Sequence, residues 1–259
     1  MTQHQTKSGV LLVGHGTRDA AGTTQFLQLR DELATLLEPT PVQASLLEFQ
    51  EPTIEQGWNA LAGRDVSHVH VAPLLLFAAG HAKQDIPEAI QACQKSTPDM
   101  SYDQCRPLSR HRQILKLIIQ RLEESFDQIT SQPQRTAVLM VGRGSYDPCA
   151  STDMHVLTEL VKHRTDFASV STAFYAMANP RLPEVLEQLS SNDQIDAVIV
   201  QPHLLFEGRL YQAIAKIVAE TAKKHSHIRW IISGYLGPDP LVAQALATRI
   251  QQAPIARSE

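Results

Sequence analysis

Cysteine is scarce in this 259-residue sequence: there are three, Cys93, Cys105 and Cys149, with no C-x-x-C pair among them. That scarcity argues against a disulfide framework and against thiolate-held zinc or iron–sulfur centres, and it fits a reducing, cytoplasmic setting. Long apolar runs are also missing. No stretch approaches the roughly 18 residues that a membrane span requires, and residues 1–7 are polar, without the apolar core of a secretory leader. Positive charge is not in excess either. The formal net charge is -4, and no Lys/Arg cluster alternates with aromatics, so nucleic acid is not an expected partner. No G-x-x-x-x-G-K-[ST] occurs, which removes a phosphate-binding loop of that type. Apolar residues, by contrast, make up 43% of the chain, enough for one large core or two ordinary ones.

Short β-rich apolar runs at residues 9–13, 42–47 and 69–76 read as strands, each followed by a segment of helical periodicity. Between the first two, Phe26, Leu29, Leu33, Leu36 and Leu37 fall on one helical face, closed by Pro39 and Pro41. This alternation is βαβ grammar. The nearly continuous apolar character of the runs suits a parallel sheet covered on both faces.

After a polar, proline-containing stretch near residues 131–134 the pattern begins again. Val13-Gly14-His15-Gly16-Thr17-Arg18-Asp19 aligns with Val141-Gly142-Arg143-Gly144-Ser145-Tyr146-Asp147 at an offset of 128 residues, and Pro52 aligns with Pro180 at the same offset. Pro73-Leu74-Leu75-Leu76-Phe77 matches Pro202-His203-Leu204-Leu205-Phe206 one residue further on. The expectation is therefore an α/β chain of two tandem homologous, doubly wound, flavodoxin-like halves. They would span residues 1–133 and 134–259, each with a parallel sheet, with a ligand cleft between them. The last helices, at 114–122 and 241–250, occupy equivalent places in the two repeats.

Open α/β sheets place their sites at the carboxyl ends of strands. His15 follows the first strand between Gly14 and Gly16, Glu48 ends the second, and His81 follows the third after Gly80. In a sheet of order 2-1-3 these ends are neighbours, so two imidazoles and a carboxylate can converge. Such a set suits Co²⁺, Fe²⁺ or Ni²⁺ and leaves coordination positions open, as a site that passes its ion onward requires. Each residue also has a plainer reading. His15 in a tight turn is equally a packing residue, and Glu48 could cap the helix that starts near Thr53. His68 and His70 form an H-x-H on the third strand, a pair that can bind metal but more often faces solvent or a helix. His203 could approach the ligand from the second half.

The stretches around His15, Leu46-Leu47-Glu48-Phe49-Gln50-Glu51-Pro52 and Pro73-Leu74-Leu75-Leu76-Phe77-Ala78-Ala79-Gly80-His81-Ala82-Lys83-Gln84-Asp85-Ile86-Pro87 resemble a known family. It is that of the class II chelatases of the CbiX and SirB type, sirohydrochlorin cobalto- and ferrochelatases, in their long form of two fused units. The resemblance covers nearly the whole chain. It implies a chelatase-like fold and ATP-independent insertion of Co²⁺ or Fe²⁺ into sirohydrochlorin, with the metal as substrate, no organic cofactor, and cobalamin or sirohaem biosynthesis as the setting. It places the metal-binding histidines on His15 and His81 and their acidic partner on Glu48, which serves either as ligand or as the base that removes pyrrole protons.

The second half departs from that pattern: Arg143, Ala176 and Arg209 stand where the first half has His15, Glu48 and His81. Arginine binds carboxylates in two-pronged fashion, so Arg143, Arg209 and, less directly, His203 are the candidates for gripping the substrate's acid groups. Ordinary solvated arginines are the alternative. Two other functions use the same residues: a non-catalytic tetrapyrrole or metal carrier, and a histidine phosphatase, whose Arg-His-Gly is missing its arginine here. Because the two units are fused, a monomer suffices.

Overall fold

The structure, a computed structural model, describes residues 7–78 and 80–253, with His81 described by its backbone only. Strands and helices alternate throughout. The first repeat contains β1 (Ser8–Gly14), α1 (Ala20–Leu36), β2 (Val42–Leu46), α2 (Ile54–Ala62) and β3 (His68–Pro73). A π-helical turn (His81–Asp85) then leads into α3 (Ile86–Ser96), β4 (Ser101–Gln104) and α4 (Arg112–Phe126). The second repeat contains β5 (Thr136–Gly142), α5 (Pro148–Lys162), β6 (Ser169–Phe174), α6 (Leu182–Ser190), β7 (Ala197–Pro202), α7 (Arg209–Lys224), β8 (Arg229–Ile232) and α8 (Pro240–Gln251).

Each repeat builds one parallel four-stranded sheet, ordered β2-β1-β3-β4 and β6-β5-β7-β8. The expected 2-1-3 order is thus present, with a fourth strand added at the edge. The third strand ends at Pro73, sooner than its apolar run; beyond it the carbonyls of Leu75 and Leu76 accept from the amides of Leu108 and Ser109 in the loop after β4. Leu11 and Val13 of β1 and Val69 and Val71 of β3 pack with Ile54, Trp58, Ile86 and Ile90 from the helices on one face. Alternation sends Val10, Leu12, His68 and His70 to the other face, where α8 packs against β3 and α1. Along α1, Phe26, Leu29 and Leu33 are buried, but Leu36, at the last residue of the helix, is half exposed.

The compact units do not coincide with the sequence repeats. One unit contains the residues up to Ser109 and those from Pro238 onward; the other is Arg110–Gly237. The boundary expected at residue 133 is therefore displaced, and the two final helices are exchanged. Helix α4, encoded in the first repeat, packs against α5 and β7 of the second unit, where Ser233 Oγ donates to the Arg121 carbonyl at 3.1 Å. Helix α8, encoded in the second repeat, covers the first unit, where Arg249 donates to the Leu108 carbonyl. Periodicity identifies a helix and its apolar face. It does not say which of two homologous sheets that face will cover. No helix among the described residues is long and apolar enough to cross a membrane.

Candidate metal centre

The chain leaves β1 through Gly14-His15-Gly16 and leaves β2 through residues 47–50, and the two exits are locked together by backbone. The amide of Leu47 donates to the Gly14 carbonyl at 2.9 Å, and that of Glu48 to the His15 carbonyl at 3.0 Å, extending the parallel ladder beyond the strands. Gly16 has φ +94°, and a Cβ there would lie 2.0 Å from the Glu48 carbonyl oxygen. Only glycine lets these two loops touch. His15 and Glu48 are therefore fixed at adjacent strand ends.

His15 is half-buried and Glu48 exposed. Thr53 caps α2 through a reciprocal bond with Gln56, so the helix end that Glu48 could have served is already satisfied. Among the described residues the Glu48 carboxylate has neither a hydrogen bond nor an ion pair, which leaves it available to a metal or a proton. Asp19, standing where a dinucleotide loop would carry its third glycine, instead caps α1 by accepting from the Ala21 amide at 2.9 Å. His81 opens the π-helical turn after β3, and its side chain, like Ala79 of the same motif, lies outside the described residues.

Two neighbours were not evident in the sequence. Phe49 follows Glu48 with φ 70°, a left-handed conformation that a bulky residue rarely adopts, and its ring is 54% exposed. It stands edge-on to His15 with centroids 6.3 Å apart, and the Arg18 guanidinium lies 4.8 Å from its centre. The exposed ring and its cation form a flat, partly apolar platform beside the imidazole. The only signal for it was an aromatic in a loop position, which periodicity does not register.

The second unit repeats the backbone and changes the side chains. The Ala176 amide donates to the Arg143 carbonyl at 2.9 Å, Met177 has φ 60°, and a Cβ on Gly144 would lie 1.7 Å from the Ala176 carbonyl. Both repeats carry a cis proline at the matching position, Pro52 and Pro180. On this shared frame Arg143 and Arg209 are exposed and form no ion pair among the described residues, and Tyr146, in the place of Arg18, is 85% exposed.

His203 does not fit the role expected of it. It is 3% exposed, at the position that Leu74 occupies in the first repeat, and burial pushes its imidazole from 6.5 down to about 3. A side chain enclosed in this way belongs to the interior of its unit and cannot meet a substrate at the surface. It carries a linkage consequence. Above pH 6.5 both folded and unfolded chains hold it neutral. Below that value the unfolded chain takes up a proton that the fold refuses until about pH 3, so stability falls with pH across that window. At 1.36 kcal/mol per pKa unit, the loss at pH 5 is about 2 kcal/mol. Urea unfolding at pH 8 and pH 5 should show that loss in the wild type and its absence in His203→Leu. The same pH dependence in both proteins would contradict this account.

Two parallel α/β units, whose first two strands end in backbone-locked loops that carry His15 and Glu48 in one and Arg143 and Ala176 in the other, define a tandem chelatase-like protein. The chain belongs to the CbiX family, whose model matches it twice, over residues 9–125 and 137–253. It is 31% identical over 255 residues to the sirohydrochlorin cobaltochelatase of Priestia megaterium, covering 97% of this chain and 81% of that one. It is equally 31% identical over 253 residues to the sirohydrochlorin ferrochelatase of Bacillus subtilis (strain 168), covering 95% and 92%. A solved structure of SirB from Bacillus subtilis with Fe³⁺ superimposes with a TM-score of 0.86 at 28% identity, covering 95% of each chain.

Proposed function

We propose that this chain is an enzyme that inserts Co²⁺ or Fe²⁺ into sirohydrochlorin without a nucleotide, in the cytoplasm and as a single chain. The observation that carries the reading is the locked pair of strand ends. It fixes His15 beside Glu48 in one repeat and, on the same backbone, sets Arg143 beside Ala176 in the other. On this reading, metal chemistry belongs to the first repeat and carboxylate recognition to the second. Relatives that act on the same tetrapyrrole with cobalt in one case and iron in the other support a ligand set tolerant of both ions.

In this reading His15 and His81 bind the incoming ion through neutral imidazoles, and the open coordination positions let the pyrrole nitrogens replace protein ligands. Two pyrrole N–H protons must leave as the metal enters. Glu48, exposed and without a partner among the described residues, is placed to accept them or to complete the ligand set. Arg143 and Arg209 bind the acetate and propionate groups of the macrocycle. The Phe49 ring offers an apolar surface to its face. The proposed ligand set contains no thiolate, which favours release over storage.

The test follows sirohydrochlorin absorbance with Co²⁺, Fe²⁺ and Ni²⁺ in parallel, with protein at a tenth of the substrate concentration. Conversion well beyond one equivalent per chain is the expected result. A reaction that stops at one equivalent would make the protein a carrier, and no conversion with any of the three ions would refute the assignment.

A further inference from the structure

Away from the strand ends that carry the proposed chemistry, the first unit holds a second group of metal-binding side chains. His68 and His70 lie two residues apart on β3, on the face covered by α1 and α8, and Asp103 stands across from His70 on the edge strand β4. His68 Nε2 and His70 Nδ1 both lie 2.8 Å from the same oxygen, Asp103 Oδ2. The three candidate ligand atoms fall within 4.8 Å of one another. The side chains of His68, His70 and Asp103 are only 3%, 12% and 8% exposed. Strands rise about 3.3 Å per residue, so this cluster sits roughly 16 Å below the level of His15.

Two features argue that the cluster binds an ion and does not merely fill the core. The other carboxylate oxygen, Asp103 Oδ1, is buried with no hydrogen-bond partner among the described residues. A buried, unsatisfied carboxylate oxygen is expensive and calls for an explanation. The fold itself does not need polar groups here. At the matching positions of the second repeat stand Ala197, Ile199 and Ile231, all buried and apolar, in the same ladder of β7 and β8. Replacing such a trio by apolar residues is normally neutral or stabilising, so its presence in one repeat alone indicates a ligand.

The surroundings also suit either state of the site. Ser101 Oγ is 2.8 Å from His68 Nδ1 and donates to the Ser67 carbonyl at 3.3 Å. Without an ion, Nε2–H of His68 points to Asp103. With one, the proton resides on Nδ1 and is accepted by Ser101, leaving the Nε2 lone pair for the metal.

We infer that His68 Nε2, His70 Nδ1 and the Asp103 carboxylate form a second, structural site for a borderline divalent ion such as Zn²⁺ or Co²⁺, clamping the short edge strand β4 to β3. Two imidazoles and one carboxylate at this spacing are a familiar ligand set for these ions. The inference does not rest on the proposed insertion activity, because it concerns different residues at the other end of the strand.

The test uses the full chain carrying His15→Ala and His81→Ala, which removes the proposed insertion ligands, with Co²⁺ alone as probe in equilibrium dialysis and visible absorption. One bound Co²⁺ per chain with ligand-field bands is expected, weakened at least tenfold when Asp103→Asn is added. His70→Gln, at the most accessible of the three positions, should weaken it similarly and serves as the check if the Asp103 variant does not fold. Zn²⁺ should raise the melting temperature of the His15/His81 variant but not of the His70→Gln form. Absence of Co²⁺ binding in the His15/His81 variant, or unchanged binding in a folded His70→Gln form, would overturn the proposal. Failure of the insertion assay would leave these results unaffected.

Discussion

His15→Ala is expected to lower metal insertion into sirohydrochlorin by roughly 100-fold or more while the protein remains folded. Changing residues that merely orient a metal ligand typically costs 10–100-fold in metal affinity or activity, so loss of a ligand belongs at or beyond the upper end. The fold should tolerate the change. His15 is only half-buried, its backbone is not among the positive-φ positions, and the matching place in the second unit holds arginine on the same frame. Among the contacts that the substitution removes is an edge contact with Phe49, worth about 1 kcal/mol. Initial rates over a range of Co²⁺ concentrations, with circular dichroism on the same sample, would check the expectation. A folded variant with near wild-type turnover would remove His15 from the chemistry, whatever His81 does.

Deleting the chain from Pro238 onward is expected to destabilise the first unit and spare the second. On α8, Val242, Leu246 and Ile250 are almost fully enclosed in the first unit, together with Ala243, Ala245 and Ala247. Burying a Val, Leu or Ile side chain contributes about 1.5–3 kcal/mol. Their removal thus costs roughly 5 kcal/mol or more, comparable with the whole stability of many domains. The helix also shields part of α1: Glu32 is pushed up by burial and by Asp239 beside it. Amide exchange should show β1, α1 and β3 losing protection while β5, β7 and α4 keep theirs. If the second unit opened instead, the helix exchange would be wrong.

That exchange marks the limit of what the sequence could convey. The duplication and the loops carrying His15 and Glu48 were readable because glycine, proline and short apolar runs have local causes, and the 2-1-3 order followed from the doubly wound class that those runs indicate. The edge strand β4 was not readable, since Ser101-Tyr102-Asp103-Gln104 has no apolar run and becomes a strand only by pairing with β3. Phe49 and Arg18 were missed because their stacking depends on a left-handed turn that nothing near them announces. His203 misled for the opposite reason: its polarity suggested a surface, although its repeat partner Leu74 already indicated the interior. The His68/His70 pair was visible as a motif, but its third member came from another strand and required the fold.

The crossed helices also set the order in which the molecule can be finished as it is made. Residues 110–237 form one uninterrupted unit, whereas the unit begun by β1 stays incomplete until α8 has been synthesised, after all of its neighbour. At about 5–20 residues per second of translation, the apolar side of β1 and β3 waits roughly 10–35 seconds for its cover. The later-encoded lobe can therefore close first, while the earlier one waits for a segment encoded after the whole of its neighbour.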